Sequence, residues 1–319
     1  MAERIPLSEC LTLALSARTL FNMTDANNVF ETQGADAFNA YMLERQDVPM
    51  RPGPALPLVQ KFQRINTVVP GLVHIVLLSR ASPVAGRRIL RSLQHYGLVS
   101  SSNEVALALS SGANRFQYAQ ALGVDLFLSG YAPDVLQSIN GGLAAATIPL
   151  FDTDYAEISE EELRNNPLCI PRIAFDGDAV LFDGTADNVY RTQGMTAFRQ
   201  HAVDNAHEPM NPGPFHAFLL KLHSIRNRLA IADPSRKHLE ISLVTARGAE
   251  AMQQVWTTLN AWEIEPDTLI AAAGRPKGPI LQAGAADVLF DDTAYNLTSA
   301  QAHGVIGAHV PFGAGGIVR

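Results

Sequence analysis

The chain has 319 residues, 47% hydrophobic and 17% charged, enough for two domains of ordinary size with real cores and too apolar for a disordered chain. A formal net charge of −7 leaves no basic field for a nucleic-acid backbone, so a nucleic-acid partner is not expected. The two cysteines, Cys10 and Cys169, have neither metal-site nor disulfide spacing. The opening MAERIPLSEC also places acids and a proline where a signal peptide needs an apolar run.

No apolar run approaches membrane-spanning length, and a cytoplasmic location is expected, with a homo-oligomer left open. In chain order, the first half reads as a worn copy of the second. Val29-Phe30-Glu31-Thr32-Gln33-Gly34 returns as Val189-Tyr190-Arg191-Thr192-Gln193-Gly194, and Pro49-Met50-Arg51-Pro52-Gly53-Pro54 as Pro209-Met210-Asn211-Pro212-Gly213-Pro214. Val124–Leu128 lines up with Ala286–Phe290, and Thr147-Ile148-Pro149 with His309-Val310-Pro311. The conserved order and separation indicate duplication of a unit of domain size. The expected boundaries are a first unit at 1–151, an acidic, proline-closed linker at 152–171, and a second unit at 172–319.

The second unit alternates strands and helices. Arg172–Leu181 reads as a strand, Asp187–His201 as a helix, His238–Val244 as a strand and Ala249–Trp262 as a helix; Thr268–Ala272 and Asp287–Phe290 are strands again. This pattern predicts an α/β fold of two duplicated, doubly wound Rossmannoid units with parallel sheets. Residues 183–237 interrupt the rhythm and read as a cap inserted over the crevice, with Phe215 and His216 as candidates to touch a base or sugar. The closing Gly313-Ala314-Gly315-Gly316 reads as a flexible tail, and Asn296-Leu297-Thr298 as an unused glycosylation sequon.

Acids concentrate at predicted strand ends in the second unit only. Asp176-Gly177-Asp178 stands where the first unit has Ser16-Ala17-Arg18, and Asp291-Asp292 where it has Ser129-Gly130. In an open α/β sheet the crevice beyond the strand ends is where ligands bind. Each element also has a plainer reading: a D-G-D turn, an N-cap threonine at Thr245, a solvated loop lysine at Lys277, an exposed acidic turn at Asp291-Asp292.

The ordered set FDGDAVLF, LVTAR, PKGP and FDD, with AHVPFG after it and SARTLF and MxPGP in the first unit, resembles the cytosolic 5'-nucleotidase I family within the haloacid dehalogenase-like phosphatases. The resemblance covers nearly the whole chain and implies HAD-like units, of which only the C-terminal one is catalytically intact. It implies Mg²⁺-dependent hydrolysis of nucleoside 5'-monophosphates, AMP-like among them, through an aspartyl-phosphate. A phosphatase of sugar phosphates or other small esters, and a nucleotide-binding regulator with little turnover, are the alternatives.

The residue chemistry assigns Asp176 as nucleophile and Asp178 as general acid and base. The Thr245 hydroxyl and the N–H groups of Ala246 and Arg247 would hold phosphate oxygens at a helix start. Lys277 would balance the phosphate and Asp176. Asp176, the main-chain carbonyl of Asp178 and Asp291 would ligate Mg²⁺, with Asp292 in support.

Overall fold

The computed structural model describes residues 5–99 and 104–313; residues 314–316 of the glycine-rich closing stretch lie outside the described residues. The chain divides into two compact units, one drawn from Met1–Ser138 with Ile148–Cys169 and the other from Ile139–Thr147 with Ile170–Arg319. The acidic stretch expected as a linker packs within the first of these. Arg51 pairs with Asp152 and Asp154, and Gln60 donates to the Ile158 carbonyl while accepting its N–H.

In the first unit β1 (Leu11–Leu15) lies between β2 (Val73–Ser79) and β4 (Leu126–Ser129), with β3 (Val105–Leu109) outside β2, all parallel. All five residues of β1 are buried, which explains its unbroken run LTLAL: a central parallel strand is covered on both faces. In the second unit β6 (Arg172–Phe175) lies between β9 (Val288–Asp291) and β7 (Glu240–Thr245), with β8 (Thr268–Ala271) outside β7. β10 (Ile306–His309) runs parallel beyond β9, and β5 (Ala144–Thr147) pairs antiparallel with β10 through Thr147 and His309. The strand order β3-β2-β1-β4 of the first unit matches β8-β7-β6-β9 of the second.

The first strand of the second unit is shorter than its apolar run. It ends at Phe175 rather than continuing to Leu181. Residues Gly177–Leu181 form a single π-helical turn, closed by the Phe182 N–H to the Gly177 carbonyl at 2.9 Å, with Ala179 at φ 61°. The second apolar run is buried in that turn instead of in a strand, a distinction that hydrophobicity alone does not make.

The insertion after the turn holds the helices Thr185–Asp204 and His216–Ala232. Its Met-x-Pro-Gly-Pro element returns to the turn, where Phe182 bridges Pro212 and the Gly213 N–H reaches the Leu181 carbonyl at 2.8 Å. The first unit does the same with Phe21, Pro52 and a Gly53 N–H to the Leu20 carbonyl at 2.8 Å. The repeated Thr-Gln-Gly is a helix kink in both units, with Gly34 at φ 85°, ψ −174° and Gly194 at φ 84°, ψ −178°, a conformation open to glycine alone.

A Cβ at Gly213 would fall 2.3 Å from the Phe182 carbonyl oxygen and 2.6 Å from that of Val180. Both neighbours are backbone and cannot step aside. Gly213→Ala is therefore expected to cost about 1–3 kcal/mol, read as a lowered urea midpoint. An unchanged midpoint would contradict the close approach.

Candidate active site

Parallel register sets the geometry of the crevice. Phe175 of β6 pairs with Phe290 of β9 and with Leu243 of β7, so the next residues, Asp176, Asp291 and Val244-Thr245, emerge side by side. The Asp176 N–H is held by the Phe290 carbonyl at 2.8 Å, and its carboxylate accepts the Gly177 N–H at 2.7 Å. Asp176, Asp291, Asp292, Thr245 and Lys277 are all buried, and carboxylate oxygens of the three acids lie within 4.8 Å of one another.

Lys277 opens the helix Lys277–Ala283 behind Pro276. It is wholly buried, with Nζ 2.8 Å from Asp176 Oδ1 and 2.7 Å from Asp291 Oδ2. Burial would pull its ammonium down, but the two carboxylates outweigh that and leave it raised. One lysine does not balance three acids. Burial, the opposing pull of Lys277 and the push of Asp291 and Asp178 leave Asp176 at about 8. Burial, with Asp291 and Asp187, lifts Asp292 to about 7. Such a cluster of hard oxygen donors, short of positive charge, fits a divalent cation such as Mg²⁺. Asp291 is further fixed by the Thr293 N–H at 2.8 Å and by Asn296 Nδ2 at 3.0 and 3.2 Å to its two oxygens.

One expected contact is arranged differently, and one contact is unexpected. The Arg247 N–H, assigned from sequence to a phosphate oxygen, is donated to Thr245 Oγ1 at 3.2 Å. The Arg247 guanidinium, to which sequence reading gave no task, grips Asp178 through Nε at 2.9 Å and Nη2 at 2.6 Å. It lies 5.2 Å from the Phe198 ring centroid and 3.3 Å from Met210 Sδ, both from the insertion, so the inserted segment does reach the strand-end residues. Burial opposes its charge, yet the Asp178 carboxylate leaves it raised. Ala246 is exposed beside them.

Asp187, on the helix Thr185–Asp204, also belongs here. Its Oδ2 is buried without a hydrogen-bond partner, and burial, opposed by Arg191 and helped by Asp178, raises its carboxyl. Asn296 appeared in the sequence as a sequon, but its side chain serves Asp291. Phe215 is not a base contact: it is wholly buried among Phe175, Phe218 and Phe290, its ring 4.7 Å from that of Phe290. His216 packs against Trp262, with ring centroids 4.3 Å apart.

The sequence profile of the family described as 5'-nucleotidase matches residues 3–316. A human protein, cytosolic 5'-nucleotidase 1B, is 30% identical over 314 residues, covering 94% of this chain and 48% of the relative. The chain thus spans about half the length of that curated relative. A chain in a solved structure of the Pnkp1/Rnl/Hen1 complex aligns over 98% of this chain and 99% of its own length, but at 13% identity and a TM-score of 0.34, too distant to bear on the fold.

The raised carboxyls make stability depend on pH when metal is withheld. Asp176 and Asp292 bind a proton more tightly folded than unfolded, where the ordinary value is 3.8. Their stabilising contribution is full below that value and is lost as pH rises through about 7 and about 8. In EDTA the melting temperature should therefore fall from pH 6 to pH 9, and Mg²⁺ should restore it more at pH 9 than at pH 6. A melting temperature in EDTA that ignores pH over this range would contradict the charge imbalance.

Proposed function

The chain belongs to the 5'-nucleotidase family, and on that premise we propose that it hydrolyses nucleoside 5'-monophosphates, AMP-like among them, to nucleoside and phosphate. The observation that carries this reading is the buried Asp176 at the end of β6, held by Lys277 beside Asp291 and Asp292. A nucleophilic carboxylate needs an anchored orientation and nearby positive charge to approach an anionic ester; Lys277 supplies the anchor and one positive charge, and a bound divalent cation would supply the rest. The two units are read as duplicated HAD-like units, supported by their shared strand order and shared glycine geometry. The cytosolic location named for the human relative is the compartment proposed for this chain. No helix among the described residues is long and apolar enough to cross a membrane.

In the first step an Asp176 oxygen bonds to phosphorus as the bond from phosphorus to the nucleoside 5'-oxygen breaks, and a protonated Asp178 gives its proton to that oxygen. In the second, Asp178 takes a proton from water as the water oxygen bonds to phosphorus and Asp176 is released. Asp178 begins gripped by Arg247. An incoming phosphate dianion competes for that guanidinium and releases Asp178 toward the leaving oxygen. Thr245 offers its hydroxyl to a phosphate oxygen, and Lys277 keeps Asp176 oriented. Mg²⁺ held by Asp176, the Asp178 carbonyl and Asp291, with Asp292 in support, would neutralise charge between nucleophile and substrate.

A panel of nucleoside monophosphates and sugar phosphates, assayed with Mg²⁺, tests the assignment. Nucleotides should be preferred, Asp176→Asn should abolish turnover with the fold intact, and Asp178→Asn should lower kcat roughly 10²–10⁴-fold. Equal rates on sugar phosphates would remove the nucleotide reading, and an active Asp176→Asn would remove the nucleophile.

A further inference from the structure

The strand ends of the first unit open into a cavity of about 760 Å³, within the range of about 300–1,000 Å³ found for small-molecule sites. Its frame matches the crevice described above, residue for residue along the strands. Ser16 follows β1, Ser79 ends β2 and Ser129 ends β4, where the second unit has Asp176, Thr245 and Asp291. The buried cation is kept too. Arg115 precedes the helix Phe116–Ala121 as Lys277 begins its own helix, and it is bonded to Asp134 and, at 3.3 Å, to Ser129 Oγ.

What differs is the sign of the charge. The second crevice holds the five carboxylates Asp176, Asp178, Asp187, Asp291 and Asp292 against Lys277 and Arg247, with Arg191 3.8 Å from Asp187. Around the first cavity the count reverses: Arg18, Arg80 and Arg115 face Glu31 and Asp134. Asp134 is taken by Arg115, with Arg80 at 3.6 Å. Arg18 has no hydrogen-bond partner among the described residues; partial burial pulls its guanidinium down, and only the Coulomb attraction of Glu31 works against that. Arg18 is exposed on the concave wall, and an unpaired guanidinium there offers its fork of N–H donors to a phosphate in bidentate geometry. Aromatic rings also line the cavity. Phe30 and Phe38 stand edge to face with ring centroids 6.1 Å apart, and Phe30 is 50% exposed. Tyr131 lines the cavity under Arg80, whose guanidinium lies 4.4 Å from its ring.

We propose that this cavity is a second binding site, taking a nucleotide without a metal. Its phosphate meets Arg18 and Arg80 with hydroxyls of Ser16 and Ser79 nearby, and its planar ring lies against Phe30 and Phe38. A crevice rich in carboxylates needs a cation to accept a phosphate; this one has exchanged its strand-end acids for serines and gained arginines, so it does not. The site stands independently of whether the second unit hydrolyses the same compound.

The test uses the full chain carrying Asp176→Asn, in EDTA, titrated with AMP by calorimetry, with adenosine and inorganic phosphate as separate titrants. Saturable binding of AMP is expected, tighter than either fragment. Arg18→Glu should weaken it at least tenfold, or remove one of two sites, with the melting temperature unchanged. Phe30→Ala, at an exposed position, gives a second variant that should weaken AMP and leave inorganic phosphate unaffected. Absence of AMP binding in EDTA, or binding that survives Arg18→Glu and Phe30→Ala unaltered, would overturn the proposal.

Discussion

A lysine without water is the constraint on which the second unit turns. Placing the Lys277 ammonium in the interior costs several kcal/mol unless it is paired and hydrogen-bonded, and removing one partner of such a group costs about 3–5 kcal/mol. Its two partners, Asp176 and Asp291, come from neighbouring strands, so the pairing holds only while β6 and β9 keep their register. The helix that carries Lys277 must also press closely on the next one. A Cβ at Gly278 would lie 2.2 Å from the Ser299 carbonyl oxygen, and the Gly278 N–H reaches Ser299 Oγ at 3.1 Å. That second helix, Ala294–Gln301, brings Asn296 to the same Asp291. Sheet register, helix contact and site charge are thus one arrangement.

The sequence shows most of this frame because its parts are local. A short apolar run ended by an acid reads as a buried strand reaching a crevice, and β6 and β9 are of that kind, while β7 ends on Thr245. The end of β6 is misread because Ala179–Phe182 is as apolar as a strand, and only the backbone at Ala179 reveals a turn. The role of the Arg247 side chain is not legible in the sequence for a different reason. Its partner Asp178 lies 69 positions away, and nothing in LVTAR separates a guanidinium bound for solvent from one bound for a buried carboxylate. Repetition of Met-x-Pro-Gly-Pro marks the element as important, while its reason, a glycine pressed on backbone carbonyls, depends on three-dimensional proximity.

Two crevices of the same strand order thus carry opposite charge. The frame fixes where strand-end residues stand, and the residues decide what the position can hold. With acids and one lysine it is short of positive charge and suits a cation and an anionic ester together. With serines and arginines it suits the anion alone. The buried cation common to both, Lys277 and Arg115, belongs to the frame, since each ties the start of a helix to a strand end. Fold and function separate cleanly at this point.

The central claim is that Asp176 attacks phosphorus and water follows in a second displacement. The stereochemistry at phosphorus tests it most directly. An AMP analogue made chiral at phosphorus by sulfur and oxygen isotopes would be hydrolysed in isotopically labelled water, and the configuration of the thiophosphate product determined. Two in-line displacements give net retention, which is the predicted result. Inversion would mean that water attacks the ester directly, and it would contradict a covalent role for Asp176.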